Sequence, residues 1–211
     1  MQSELFIGLD LGQRRDATAI AVIERSVHVA DRPDPITWAR ERTIRHEVRH
    51  LEILPLGTPY TAVTKRTERL CQKLIRMGAC TLVVDATGVG LPVIDSLKQT
   101  RTEWRIMPVT IGHGFNQTQT DGFWRVPKRD LIAGLQLAFE ARHLTISKHL
   151  KHTTDLIEQL TTMRATRRIT GVTQYASPTT GHDDLALALS LAWWATETRR
   201  PAQLGVPNPL P

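Results

Sequence analysis

Cysteine is scarce in this chain, with only Cys71 and Cys80 among its 211 residues. The two neither form a CxxC pair nor join histidines in a zinc-binding pattern, so the sequence encodes no disulfide framework and no structural zinc site. We interpret both residues as core thiols of a protein that works in a reducing compartment.

Long apolar segments are also missing. The N-terminus has no basic segment followed by an apolar run, which a secretory signal peptide requires. The most apolar stretch, residues 185–195, is too short to span a bilayer and is better explained as a buried helix. We therefore expect a cytoplasmic protein without a membrane partner.

Two motifs of nucleotide and ester chemistry are absent. No GxxxxGKS or GxxxxGKT segment occurs, so the chain encodes no P-loop motor, and no GxSxG nucleophile elbow is present. Gly88 and Gly90 match only part of a phosphate-binding loop, which is a weak signal.

The composition is that of a basic globular protein. Hydrophobic residues make up 41% of the chain and the formal net charge is +6, with an isoelectric point near 9.8. This balance favours a polyanionic partner such as nucleic acid, the alternative being a soluble protein that is merely basic.

Hydrophobic periodicity predicts an α/β sandwich with a mixed sheet. The predicted strands cover 5–11, 17–24, 43–54, 80–85 and 105–111, with a weak strand or hairpin at 168–177. The predicted helices cover 60–77, 93–99, 128–142, 150–165 and 183–197, and 112–126 is predicted to be a polar loop. We expect one domain over 1–198 and a disordered Pro-rich tail over 199–211.

Acidic residues end two of the predicted strands and begin the last helix. Asp10 closes LFIGLD, Asp85 closes CTLVVD, and Asp183 and Asp184 open the apolar helix. Ligands bind at the carboxyl ends of strands in open α/β sheets, and carboxylates suit Mg²⁺ or Mn²⁺. The pattern favours a site for two such ions that hydrolyses a phosphodiester, although a turn aspartate is the simpler explanation for either strand end alone.

Each of the paired aspartates can be interpreted either as a helix cap or as a metal ligand. Asp is a favoured N-cap, so we expect Asp183 to cap the helix and to contact a second metal ion. Asp184 shares a helix face with small residues and is the preferred ligand. Asp16 and His182 are auxiliary candidates that would support a metal or position water, the alternatives being a solvated turn and a loop histidine.

Basic residues supply candidate phosphate contacts. They are Arg14 and Arg15 beside the first strand, Lys128 and Arg129 at a helix start, and Arg164, Arg167 and Arg168 in a basic turn. Ordinary solvated surface is the alternative for each residue taken singly.

Several segments in order resemble the nuclease domain of phage terminase large subunits. They are FIGLDLGQRRDATAIAVIE, LPLGTPY, LVVDATGVGLPVIDSL, VPKRDLI and GHDDLALALSLAWW, and the resemblance covers roughly residues 5–197. The most specific part is VDATGVG followed by a distant HDD and an apolar helix.

The resemblance implies a ribonuclease H-like fold with a mixed five-stranded sheet, three strands antiparallel and two parallel, flanked by helices. It implies a two-metal endonuclease that cuts concatemeric double-stranded DNA during genome packaging, using Mg²⁺ or Mn²⁺ held by Asp10, Asp85, Asp183 and Asp184. The partners it implies are double-stranded DNA and a packaging ATPase, small terminase subunit or portal, in the cytoplasm of a bacterial host.

Two other functions remain open. DLGQRR is similar to a segment of Holliday-junction resolvases of the same fold, for which preference for four-way junctions would be diagnostic. A non-catalytic DNA-binding or assembly module would instead bind DNA without cutting it.

Overall fold

An eight-stranded mixed sheet lies at the centre of the computed structural model, which describes residues 2–12, 16–88, 90–99, 103–167, 173–176 and 183–199. Its strands are β1 (Gln2–Asp10), β2 (Ala19–Val29), β3 (Arg42–Ile53), β4 (Ala79–Asp85), β5 (Arg105–Gly112), β6 (Thr118–Thr120), β7 (Phe123–Pro127) and β8 (Leu144–Ile146). Across the sheet the order is β6-β7-β5-β4-β1-β2-β3-β8.

Five helices and a small hairpin complete the described part of the chain. The helices are α1 (Tyr60–Leu74), α2 (Gly90–Gln99), α3 (Lys128–Glu140), α4 (Thr153–Thr162) and α5 (Asp184–Thr198). The strands β9 (Arg164–Arg167) and β10 (Thr173–Ala176) pair with each other in a separate two-stranded sheet. The helix predicted to reach residue 165 therefore ends at Thr162, because β9 begins at Arg164.

The sheet has the predicted arrangement at its centre but more strands than predicted. β1, β2 and β3 are antiparallel, and β4 and β5 lie parallel to β1 on its other side. The expected count of five strands was wrong, because β6 and β7 form within the predicted polar loop and β8 follows α3. These strands have only three to five residues and form by pairing with distant partners, as when β8 joins β3, so local periodicity does not reveal them.

Two hydrophobic layers cover the sheet, one on each face. On β1, Phe6 packs into the layer formed with α3, α4 and α5, whereas Leu5, Ile7 and Leu9 pack into the layer formed with α1 and α2. Because both faces are buried, the strand reads as an uninterrupted apolar run. The two cysteines are free and buried in the second layer, as predicted for core thiols.

Helix α5 packs directly on β1 and β2 and is buried on every side from residue 184 to 196. A helix enclosed in this way is apolar all round, which explains the unbroken apolar sequence. Gly8 permits the close approach, since a Cβ atom there would lie 1.8 Å from the carbonyl oxygen of Ala188. The absence of a Cβ atom at Gly8 thus sets how near α5 comes to the strand that ends at Asp10.

The C-terminal end of α5 is held by Arg25, whose side chain is 2% exposed. Its guanidinium donates to the carbonyl oxygen of Thr196 at 2.7 Å and to the carboxylate of Glu4 at 2.6 Å. A cation satisfies carbonyl groups that a helix end leaves without partners. Arg25 therefore ties the end of α5 to the central strands.

No helix in the described ranges is long and apolar enough to cross a membrane. The tail predicted from 199 onward lies, beyond Arg199, outside the described residues, so the proposed domain limits stay a prediction.

Candidate active site

Three structural elements bring carboxylates to one edge of the sheet. Asp10 is the last residue of β1 and Asp85 the last of β4, and these strands are parallel neighbours in which Leu9 pairs with Val84. Asp184 is the first residue of α5, the helix that packs on β1, and Asp183 directly precedes it. The strand ends and the helix start therefore meet at this edge.

Asp10 is the most constrained carboxylate of this group, with 7% of its surface exposed. Its pKa lies well above the usual range, first because of burial and then because of the negative charges of Asp85, Asp184 and Asp183. Lys128 opposes this rise. The other three carboxylates are thus close enough to repel the charge of Asp10, and the ammonium group of Lys128 compensates only part of this effect.

Asp85 is held by a short hydrogen-bonded turn. The backbone N–H of Thr87 donates to Asp85 Oδ1 at 2.8 Å, and the Thr87 hydroxyl accepts from the N–H of Ile111 at 3.0 Å. Burial raises the pKa of Asp85, while the hydrogen bonds from Thr87 and the charge of Lys128 oppose this. A Cβ atom on Gly90 would lie 2.3 Å from the Asp85 carbonyl oxygen, so glycine lets α2 start against the strand end.

Asp183 bonds to a lysine rather than to its own helix. Lys128 Nζ donates to Asp183 Oδ2 at 2.6 Å, with the two side chains 24% and 20% exposed. Asp183 occupies the N-cap position, but its side chain makes no capping hydrogen bond, so the expected cap is absent. Asp184 is 6% exposed, which agrees with the inward face predicted for it.

Two interactions at this site were not predicted from the sequence. Thr87 follows the spacing Asp-x-Thr, in which an aspartate accepts a hydrogen bond from the backbone two residues on, and that signal was available. Lys128 was predicted as a phosphate contact, and only the fold brings its ammonium to Asp183, 55 residues away.

The remaining predicted residues have varied positions. Asp16 is exposed and lines a pocket of about 200 Å³ together with Gly12, Thr18 and Tyr60. Arg129 follows Lys128 in α3, and Arg164 and Arg167 lie in β9. The other predicted residues fall outside the described residues: Arg14, Arg15, Arg168 and His182.

The carboxylate group suits a hard divalent cation in its chemistry. Its donors are oxygen atoms, and its four negative charges exceed the one positive charge of Lys128. Within the described ranges, however, no three acidic, histidine or cysteine side chains already form a metal-binding arrangement. The site therefore has the donors for such an ion without a ready-made cage.

Solved structures with the same fold are nuclease domains of phage large terminases. The large terminase nuclease from thermophilic phage G20c is 20% identical with a TM-score of 0.59, covering 91% of this chain and 82% of that one. This chain has the fold of a large terminase nuclease domain. The prediction of a ribonuclease H-like α/β fold is thereby confirmed.

Two further phage proteins share this terminase nuclease fold. A mutant nuclease domain of large terminase subunit gp2 of bacterial virus Sf6, solved with manganese and beta-thujaplicinol, is 15% identical with a TM-score of 0.57, covering 96% of this chain and 90% of that one. The large terminase nuclease domain of bacteriophage SPP1, solved with bound manganese, is 14% identical with a TM-score of 0.52, covering 91% and 86%. No protein-family profile and no curated protein matches the chain.

Proposed function

We propose that this chain is a metal-dependent endonuclease of DNA, of the type found in large terminases. The observation that carries the proposal is the group of four carboxylates at one sheet edge, where Asp10 is buried and its pKa is raised by the charges of the other three. Burial of mutually repelling carboxylates is unfavourable in the ion-free chain, and bound cations would compensate for it.

The residues that would hold two Mg²⁺ or Mn²⁺ ions are Asp10, Asp85 and Asp184, with Asp183 beside the second ion. Structures of the same fold support the choice of metal ions, since the G20c nuclease was solved with bound magnesium and the SPP1 domain with bound manganese. Such ions stabilise the attacking and leaving oxygens of a phosphodiester during in-line displacement.

The chain's own residues set the positions of these carboxylates. Thr87 fixes the orientation of Asp85 through the backbone N–H bond, and the packing of α5 on β1 fixes Asp184 beside Asp10. Lys128 balances the charge of Asp183 and lowers the repulsion that Asp10 experiences. Ligand residues held this rigidly require little rearrangement when the substrate arrives.

The substrate and the partners are proposed from the likeness to terminase nucleases. We propose that the substrate is concatemeric double-stranded DNA cut during genome packaging in a bacterial host cytoplasm. A packaging ATPase, a small terminase subunit or a portal are the proposed partners. The net charge of +6 supports contact with the DNA backbone, for which Arg14, Arg15, Lys128, Arg129, Arg164, Arg167 and Arg168 are the candidates.

Plasmid cleavage tests the proposal directly. Supercoiled plasmid is incubated with the wild type in Mg²⁺, in Mn²⁺ and in EDTA, and with the variants Asp85→Ala and Asp95→Ala. Asp95 is an exposed aspartate of α2 and serves as the matched control. We expect cleavage with either metal, none in EDTA, none by Asp85→Ala and wild-type rates by Asp95→Ala.

Two results would contradict the proposal. DNA binding without cleavage under any metal condition would indicate a non-catalytic module. Faster cutting of a four-way junction than of linear duplex would assign the chain to junction resolution instead.

A further inference from the structure

An exposed aromatic ring lies at the edge of the sheet that carries the carboxylates. Phe115 is 65% exposed and belongs to the segment between β5 and β6. Since β5 runs parallel to β4, with Val109 beside Asp85, its end at Gly112 projects beyond the carboxylate-bearing edge. Phe115 follows three residues later.

The segment that carries the ring is held by contacts from two helices. Arg129 Nη2 donates to the carbonyl oxygen of Phe115 at 2.8 Å, and its guanidinium carbon lies 5.0 Å from the ring centroid. Two residues on, Gln117 Oε1 accepts from the indole N–H of Trp194 in α5 at 3.0 Å. An aromatic side chain presented by an anchored segment loses little conformational freedom when it binds a ligand.

A partly exposed cation lies beside the ring. Arg129 is 37% exposed and shares its charge with Asp130, to which Nε donates at 3.0 Å. It directly follows Lys128, whose ammonium contacts Asp183 of the carboxylate group. The guanidinium lies against the ring, and Phe115 as a whole is still 65% exposed to solvent. An open aromatic face beside a cation is the combination that binds single strands.

The most exposed tryptophan has a different setting. Trp38 is 79% exposed but lies in the connection between β2 and β3. β2 starts beside Asp10 at Ala19 and runs the length of the sheet to Val29, so this connection is at the opposite edge. Exposure alone therefore does not distinguish Phe115, whereas its location and its cation do.

We propose that Phe115, with Arg129 beside it, is a stacking site for a nucleobase that leaves the duplex where one strand of the double-stranded substrate enters the carboxylate site. The inference rests on the proposed function and refines it, because it assigns substrate positioning to a residue that no motif marks. A base held there would fix the register of the strand with respect to Asp85 and Asp10.

Fluorescence of a short single-stranded oligonucleotide containing 2-aminopurine tests this site. Titrations in EDTA separate binding from cleavage, and stacking on an aromatic ring quenches the probe. Wild type and Phe115→Trp should quench it, whereas Phe115→Ala and Phe115→Leu should not and should bind about tenfold more weakly. Arg129→Gln should weaken binding, and Trp38→Ala, the control with an exposed ring at the opposite edge of the sheet, should behave as wild type.

Equal quenching by wild type and Phe115→Leu, or equal loss of quenching in Trp38→Ala, would overturn the stacking site. Melting temperatures should be the same for all the Phe115 variants, because the side chain is mostly exposed. If only the stacking site is wrong, the wild type still cleaves plasmid. If only the nuclease proposal is wrong, the oligonucleotide is still quenched, so the two assays distinguish the two failures.

Discussion

Single residues show that the carboxylate site is held against electrostatic repulsion. Asp10 is buried next to three other acidic side chains, and its carboxyl group is consequently harder to ionise in the folded chain than in the unfolded one. Functional sites commonly concentrate such perturbed groups. Replacing Asp10 should therefore stabilise the ion-free chain, whereas replacing an ordinary core side chain destabilises a protein.

Replacing Asp10 by Asn should stabilise the protein in EDTA. Because the folded pKa is raised above the ordinary value of 3.8, the folded state binds more protons than the unfolded state and loses stability as pH rises between those two pKa values. At about pH 8 the variant should melt a few degrees higher than wild type, since 1 kcal/mol shifts Tm by about 2–4 °C in a chain of this size.

The pH dependence of this gain supplies the control. At about pH 4.5 the difference in Tm should shrink, because protonated Asp10 no longer carries a charge. His46, whose pKa is lowered to about 4 chiefly by burial, affects both proteins equally and cancels in the difference. A gain that stays constant with pH would show that packing rather than charge is responsible.

The paired aspartates should differ in their effect on cleavage. Asp183→Asn removes the ion pair with Lys128, whereas Asp184→Asn removes a charge from a buried position beside Asp10. We expect Mn²⁺-dependent plasmid cleavage to fall about tenfold in the first variant and more than about a hundredfold in the second. An inactive Asp183→Asn beside an active Asp184→Asn would reverse the assigned roles.

At the level of elements, the contact between α5 and β1 determines the geometry of the site. The helix delivers Asp184 to the strand end at Asp10, and the absence of a side chain on Gly8 sets the distance between them. Close packing of this kind transmits small displacements, because a packed interior has few voids to absorb them.

Gly8→Ala should therefore damage both stability and cleavage. Its Cβ atom would meet the Ala188 carbonyl at 1.8 Å, and overpacking of this kind costs about 1–3 kcal/mol or more. Gly134→Ala in α3 is the matched control, since its Cβ would have its nearest neighbour at 3.8 Å and alanine favours a helix by about 1 kcal/mol. Melting temperature and plasmid cleavage are the measurements, and equal effects of the two substitutions would refute the close-approach argument.

For the whole molecule, the net charge of +6 is the property that would govern the proposed contact with DNA. Contacts with phosphates release counterions, so affinity falls with salt in proportion to the number of such contacts. The basic residues predicted to make them are spread from the first strand to the β9 region.

Neutralising Arg164, Arg167 and Arg168 together as Gln should weaken binding to every duplex sequence alike. Each lost contact should reduce the slope of log affinity against log salt by about 0.9. The control is Arg49→Gln with Arg66→Gln, because Arg49 already pairs with Glu24 and Arg66 with Glu52. An unchanged slope in the triple variant would identify the cluster as ordinary surface.

The sequence by itself determined the central strands, the long helices and the acidic residues at their ends. A strand such as β1, buried on both faces, must be apolar throughout, and a helix such as α5, enclosed on every side, must be apolar all round. Both signals are local, so they are readable without the fold. The position of Asp10 and Asp85 after such strands follows from the same pattern.

Tertiary structure alone decided the rest. The strands β6, β7 and β8 are too short to have a periodicity and exist through pairing with partners elsewhere in the chain. Asp183 is an ordinary N-cap by sequence, yet its carboxylate bonds to Lys128 because α3 and α5 begin at the same edge of the sheet. Lys128 and Asp183 are 55 residues apart in the sequence, and their charges attract each other appreciably only because the fold brings them into contact. No local sequence pattern encodes that proximity.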